Sequence, residues 1–252
     1  MTTNIPANYD ALLAESINIP LLEGSAIGGY YARPLGSGPF PGVIVIFEAF
    51  GMMPHTKEMV RKFAAAGYLA IAPDLYFREG PLDPTDMRAV MQRMGGISDT
   101  QAIADMESTA QFLKQQPTSN GKVGVIGHCS GGRHSLLFAC NTNSLDAAVD
   151  CYGGRVITDE FTEAMPKAVI DMIPNLQCPL LGLFGETDAN PTPDHVQQLE
   201  QSLTANNKQY EFTVYPDPVG HGFFCEYRPS YNQEAAVDGW DQIFKFFGSH
   251  LG

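Results

Sequence analysis

Residues 124–132, GVIGHCSGG, set Gly127, Gly131 and Gly132 around one cysteine and one serine. The apolar run Val123–Ile126 reads as a buried strand, and the residues after the glycines can be helical. A strand that turns at once into a helix holds one residue at a tight apex. The positions two before and two after that apex must be glycine, because side chains there would collide. Gly127 and Gly131 flank Cys129 symmetrically, whereas Ser130 would need a glycine where the chain has His128. The spacing makes Cys129 the nucleophile and leaves Ser130 to act through its backbone N–H, which opens the helix and can face an oxyanion. The same helix end favours a thiolate. His128 is expected to pack inside the elbow, facing away from the apex. A glycine-rich strand–helix turn can also cradle a phosphate, so the turn reads as catalytic only if a base and an acid accompany it.

Where such a turn carries a nucleophile, the acid and then the histidine follow it along the chain. His134 lies within the elbow helix, His195 opens a later helix and His250 ends the last one. His221 sits in DPVGHGFF, a glycine-flanked loop between the last strand and the last helix, which makes it the candidate base. The strand LLGLFGETD supplies Glu186 and Asp188 at its end, and Asp188, deeper in the loop, is the better acid. Glu48 is a further anomaly. It follows the apolar strand GVIVIF at its carboxyl end, the edge at which open α/β sheets carry their sites. A buried carboxylate needs a partner, and Arg78 in APDLYFREG, after the next strand, is the candidate.

These residues must be positioned by the elements around them. Strands are expected within 16–32 (with Gly28-Gly29 as a turn or bulge) and over 43–47, 68–74, 123–126, 147–151, 179–184 and 210–215. Helices are expected over 56–66, closed by Gly67, and over 84–94, 131–139, 194–205 and 232–250. Another runs from a capping box at Ser98 and Gln101 to about Lys114. Residues 159–173 read as part-helical, within a candidate lid over 155–178. Continuous apolar strands alternating with helices predict an α/β fold, a mostly parallel central sheet with helices on both faces, in a single domain over 1–252.

A chain with 44% hydrophobic and 17% charged residues is globular. Its net charge of −13 argues against nucleic acid and anionic membrane surfaces as partners. MTTNIPANYDALLAES lacks the basic and apolar segments of a leader, and no run approaches the ~18 apolar residues of a membrane span. Five cysteines without CxxC spacing point to reduced thiols in the cytoplasm and away from a disulfide framework or zinc ribbon. No metal or cofactor is expected. The expected partner is a small molecule, and the protein is expected to be a monomer or a small homo-oligomer.

The stretches VIVIFEAFG, AGYLAIAPDLYFRE, GVIGHCSGG, LLGLFGETD and GHGFF, followed by RPSYN, run in order from about residue 42 to 240. Together they resemble the dienelactone hydrolase family of the α/β-hydrolase fold. The resemblance implies a Cys129–His221–Asp188 triad that cleaves an ester or lactone, of the carboxymethylenebutenolidase type, through a thioester. It further implies that Glu48 contacts the resting thiol, that the Ala49 N–H is the second oxyanion donor, and that Arg78 helps hold a substrate carboxylate. Family members acting on dienelactone carry a second Arg four residues after the His. Here that position is Cys225, and Arg228 follows three residues later as a further substrate-binding candidate. Phe50, Tyr76 and Phe223 are the candidates for an aromatic pocket wall. The same triad would also serve a broad carboxylesterase or thioesterase, and a chain that had lost turnover would be a thiol sensor.

Overall fold

The structure, a computed structural model, describes residues 11–81 and 83–252. Residues 1–10, on which the reading of the leader and the start of the 1–252 domain rest, lie outside the described residues. The apolar runs pair into one sheet of eight strands: β1 (Leu12–Pro20), β2 (Ala26–Pro34), β3 (Phe40–Ile46), β4 (Leu69–Pro73), β5 (Ser119–His128), β6 (Ala147–Cys151), β7 (Leu180–Gly185) and β8 (Tyr210–Tyr215). Their order is β1-β2-β4-β3-β5-β6-β7-β8. From β4 through β8 every neighbouring pair is parallel, while β1 and β2 add an antiparallel edge.

The helices are α1 (Pro54–Ala65), α2 (Met87–Gly96), α3 (Asp99–Lys114), α4 (Ser130–Ala139), α5 (Pro193–Ala205) and α6 (Gln233–Leu251). Side chains alternate across each strand, so β3 sends Ile44 and Ile46 to one core and Val43 and Val45 to the other. The first core takes Met106 and Leu113 of α3, Leu136 of α4 and Leu199 of α5. The second takes Met59 and Phe63 of α1 with Ile243 and Phe247 of α6. The helices thus cover both faces, which is why the strands read as unbroken apolar runs. No helix among the described residues is long and apolar enough to cross a membrane.

Several local expectations are corrected. Gly28 and Gly29 form neither turn nor bulge; they sit mid-strand in β2 opposite Asn18 and Ile17. A Cβ at Gly29 would press on the Ile19 side chain at 2.6 Å, and one at Gly28 would press on Phe77 at 3.2 Å, which accounts for both glycines. The β1–β2 turn lies further back, with Gly24 at φ 93°. Ser98 does cap α3 by position, but its side chain makes no capping hydrogen bond. Gln101 instead donates to Asp105 Oδ1 at 3.0 Å, one helical turn on. α2 begins at Met87, capped by the Asp86 carboxylate accepting from the Ala89 N–H at 3.0 Å. The 155–178 segment is irregular until a 3₁₀ turn at Val169–Asn175. Gly67 has φ 96°, as a glycine closing a helix requires.

Candidate active site

The turn between β5 and α4 is as tight as its glycines imply. Cys129 has φ 58° and ψ −121°, outside the basins that side-chain-bearing residues prefer. A Cβ at Gly127 would strike the Gly131 carbonyl, and one at Gly131 would strike the Ile46 and Phe47 carbonyls of β3. Gly132 packs against the Asp150 carboxyl and Gly153 in the same way. No other residue type fits these three positions, and the result is that Cys129 faces an open cavity of about 520 Å³. His128 points to the opposite side. It is fully buried, edge-on to Phe224 at 5.3 Å and Tyr152 at 5.8 Å between ring centroids. Burial draws its pKa down to about 3, so it is neutral and no base.

His221 and Asp188 meet beside Cys129 because two loops are bound together. The Glu186 N–H donates to the Tyr215 carbonyl at 2.8 Å, and the Thr187 N–H and hydroxyl donate to the Val219 carbonyl at 3.0 and 2.9 Å. Asp188 is buried; its Oδ1 accepts from the Asn190 N–H and its Oδ2 from His221 Nδ1, each at 2.8 Å. Burial lowers the proton affinity of His221, but the hydrogen bond to Asp188 and the neighbouring Cys129 sulfur outweigh it and raise the pKa to about 10. With Nδ1 engaged by Asp188, the other ring nitrogen carries no hydrogen bond to that acid. Glu186 turns away and accepts from the Asp217 N–H at 3.0 Å.

Ser130 and Ala49 line the same cavity. Among the described residues neither N–H donates to another protein atom, so both remain free for an oxygen. Ala49 is held by Tyr76, whose buried hydroxyl donates to the Ala49 carbonyl at 2.9 Å.

The placement of the other expected residues differs. Glu48 is buried, but it pairs neither with Arg78 nor by hydrogen bond with Cys129. Its partner is Arg228, joined through Nη1 at 3.2 Å and through a second, shorter contact between Nη2 and Oε2. The Arg228 guanidinium also lies over the Phe50 ring, 4.7 Å from its centroid. Burial raises the proton affinity of Glu48, opposed by the charges of Arg228 and His221. Phe50 and Arg228 face the Cys129 cavity on one side and a neighbouring cavity of about 480 Å³ on the other.

Arg78 does not line the cavity. It forms a two-pronged pair with Asp105 of α3 at 2.7 and 2.9 Å, with Glu23 at 3.8 Å. Phe223 is also outside it, buried in a stack with Phe224, Tyr152 and Tyr215. Tyr76 supports the wall from behind and does not line it.

Two features escaped the sequence reading. Tyr152, at φ 44°, is fully buried with its ring centroid 5.1 Å from that of His221. Nothing in CYGG signals that role; only the abutment of β6 on the elbow supplies it. Met87, Val90, Met91 and Met94 of α2 line the cavity, and their helical spacing could have been read as an apolar stripe.

Comparison with known proteins points one way. The sequence profile of the dienelactone hydrolase family matches residues 27–251. A protein of Escherichia coli K12, provisionally named a carboxymethylenebutenolidase, is 38% identical over 100% of this chain and 92% of its own length. A relative from Salmonella typhimurium LT2 with the same provisional name is 37% identical over 96% of this chain and 89% of its own. The crystal structure of a provisionally assigned dienelactone hydrolase from Klebsiella pneumoniae superposes with a TM-score of 0.88. That protein is 36% identical, and the match covers 95% of this chain and 99% of that one.

Proposed function

This chain belongs to the dienelactone hydrolase family and is a hydrolase; we propose that it cleaves ester or lactone bonds through Cys129, with His221 as the base, Asp188 as its orienting acid, and a thioester as the intermediate. The observation that carries this reading is one shared cavity. Into it open the Cys129 thiol, the free N–H groups of Ser130 and Ala49, and the His221 ring that Asp188 holds.

In the first half-reaction His221 holds the proton from Cys129 while the sulfur attacks the carbonyl carbon. The electron pair moves onto the carbonyl oxygen, which the Ser130 and Ala49 N–H groups receive. By analogy with donor deletions elsewhere each contributes ~3 kcal/mol to the barrier reduction. The C–O bond to the leaving alcohol then breaks and that alcohol takes the proton from His221. In the second half-reaction His221 removes a proton from water, the hydroxide adds to the thioester carbonyl, and the sulfur leaves as the carboxylic acid forms. A ring whose pKa is raised to about 10 suits the protonated state that accompanies a thiolate. Asp188 holds the tautomer in which the free nitrogen faces the sulfur. Glu48, paired with Arg228, stands beside these steps as a neutralised charge.

The test is substitution on either side of the apex. Cys129→Ala abolishes hydrolysis of p-nitrophenyl acetate, while Ser130→Ala retains turnover because its N–H survives. Turnover lost in Ser130→Ala and kept in Cys129→Ala would overturn the assignment.

A further inference from the structure

Apart from α2, every α-helix of the described chain packs along the sheet or against another helical segment; α2 makes no such extended contact. Only Val90 of α2 is buried. Its other apolar residues on that face, Met87, Met91 and Met94, look into the cavity that holds Cys129, Ser130 and His221, with Met165 also lining it. Met87 and Met91 are 52% and 54% exposed, so an apolar stripe is spent on an open space instead of a core. Unbranched thioether side chains are the residue type that adapts to an apolar ligand of variable shape. At 1.5 Å per residue the stripe is about 10 Å long, which roughly eight carbons joined by ~1.5 Å bonds would cover.

The charges around the cavity point the same way. Each arginine that could meet a substrate carboxylate already has an internal one. Arg133 holds Asp99 in a buried two-pronged pair at 2.7 and 2.9 Å. Arg228 holds Glu48, Arg78 holds Asp105 outside the cavity, and Arg155 faces Glu160 at 3.6 Å. An anionic acyl group would have to compete with these carboxylates, of which only Glu160 is exposed.

We propose that the methionine face of α2 is the acyl-binding wall of this site, and that it selects substrates with an uncharged, apolar acyl chain over chains ending in a carboxylate. This rests on the hydrolase reading above, and the test separates the two. Purified full-length protein is assayed on p-nitrophenyl acetate, butyrate, hexanoate and octanoate, and on the suberate monoester, an octanoate-length chain ending in a carboxylate. The expected result is a kcat/KM that rises along the series by up to about fourfold per buried methylene, with the suberate monoester at least tenfold below octanoate. Met91→Glu lowers the octanoate-to-acetate ratio at least tenfold, and Met91→Leu restores it. Val237→Glu, at an exposed apolar site on α6 outside the cavity, leaves the ratio where it was. A flat or falling series, a suberate monoester preferred over octanoate, or a ratio that drops equally in Val237→Glu would overturn the proposal while hydrolysis of the acetate still stands. Failure to cleave any of these esters, without labelling of Cys129, would instead overturn the hydrolase chemistry itself.

Discussion

Asp150 lies beneath the elbow and, among the described residues, forms no ion pair. It is fully buried on β6. Its Oδ1 accepts one hydrogen bond, from the Gly153 N–H at 2.8 Å, and its Oδ2 has no partner among the described residues. Burial therefore raises its pKa from the ordinary 3.8 to about 7, against the smaller opposing effect of that hydrogen bond. An acid whose folded pKa is raised contributes its full stability below 3.8 and loses it as the pH climbs through about 7. At 1.36 kcal/mol per pH unit, the loss by pH 9 is about 4 kcal/mol. Asp150→Asn keeps an acceptor for Gly153 and removes the ionisation. Any cost of burying the amide is independent of pH, and all other titrating groups cancel in the difference between the two proteins. The difference in melting temperature, variant minus wild type, is thus expected to rise between pH 4.5 and 9. About 1 kcal/mol of that loss is already complete at pH 4.5, so about 3 kcal/mol falls within the range and, at 2–4 °C per kcal/mol, the rise amounts to roughly 6–12 °C. Calorimetric melts across that pH range measure it directly. A difference that stays flat with pH would refute the reasoning, because it would mean that Asp150 is equally ionised in the folded and unfolded chains.

The site yields further expectations. Tyr76→Phe removes the hydroxyl that fixes the Ala49 carbonyl, so the loop bearing the proposed oxyanion donor loosens. We expect kcat to fall about tenfold with KM nearly unchanged, since the interaction acts on the transition state; a rise in KM alone would contradict this. Arg78→Gln takes the paired cation from the Asp105 carboxylate, whose side chain is 1% exposed, and leaves it the Gln101 amide as a donor. The expected cost in stability is on the order of 3 kcal/mol, read by urea denaturation, with KM for an uncharged ester within about twofold of wild type. A selective loss of affinity for carboxylate-bearing esters without a loss of stability would return Arg78 to the substrate.

The parts of this arrangement that could be read from the chain are those set by local sterics. Gly127 and Gly131 around Cys129 state a clash that any fold would have to respect. The unbroken runs of β3, β5 and β7 state burial on both faces, and Gly220 and Gly222 mark the loop that His221 occupies. What could not be read was set by neighbours distant in sequence. Whether Glu48 meets Arg78 or Arg228 depends on α3 bringing Asp105 to Arg78, a choice invisible in either segment. Gln101 left the capping box because Asp105, one turn away, is a charged acceptor. Gly28 and Gly29 look like a turn by composition, and only the packing of Ile19 and Phe77 shows why a strand needs them. The α2 stripe was legible as a stripe, but not as one that faces a cavity.

In the proposed reaction the sulfur at position 129 carries the acyl group. The direct measurement is rapid quenching during turnover of p-nitrophenyl acetate, followed by peptide mass spectrometry with and without hydroxylamine. The expected result is an acetyl group on the peptide containing Cys129, at the sulfur and released by hydroxylamine, and none in Cys129→Ala. Acetyl on Ser130, or undiminished turnover with Cys129 removed, would contradict it.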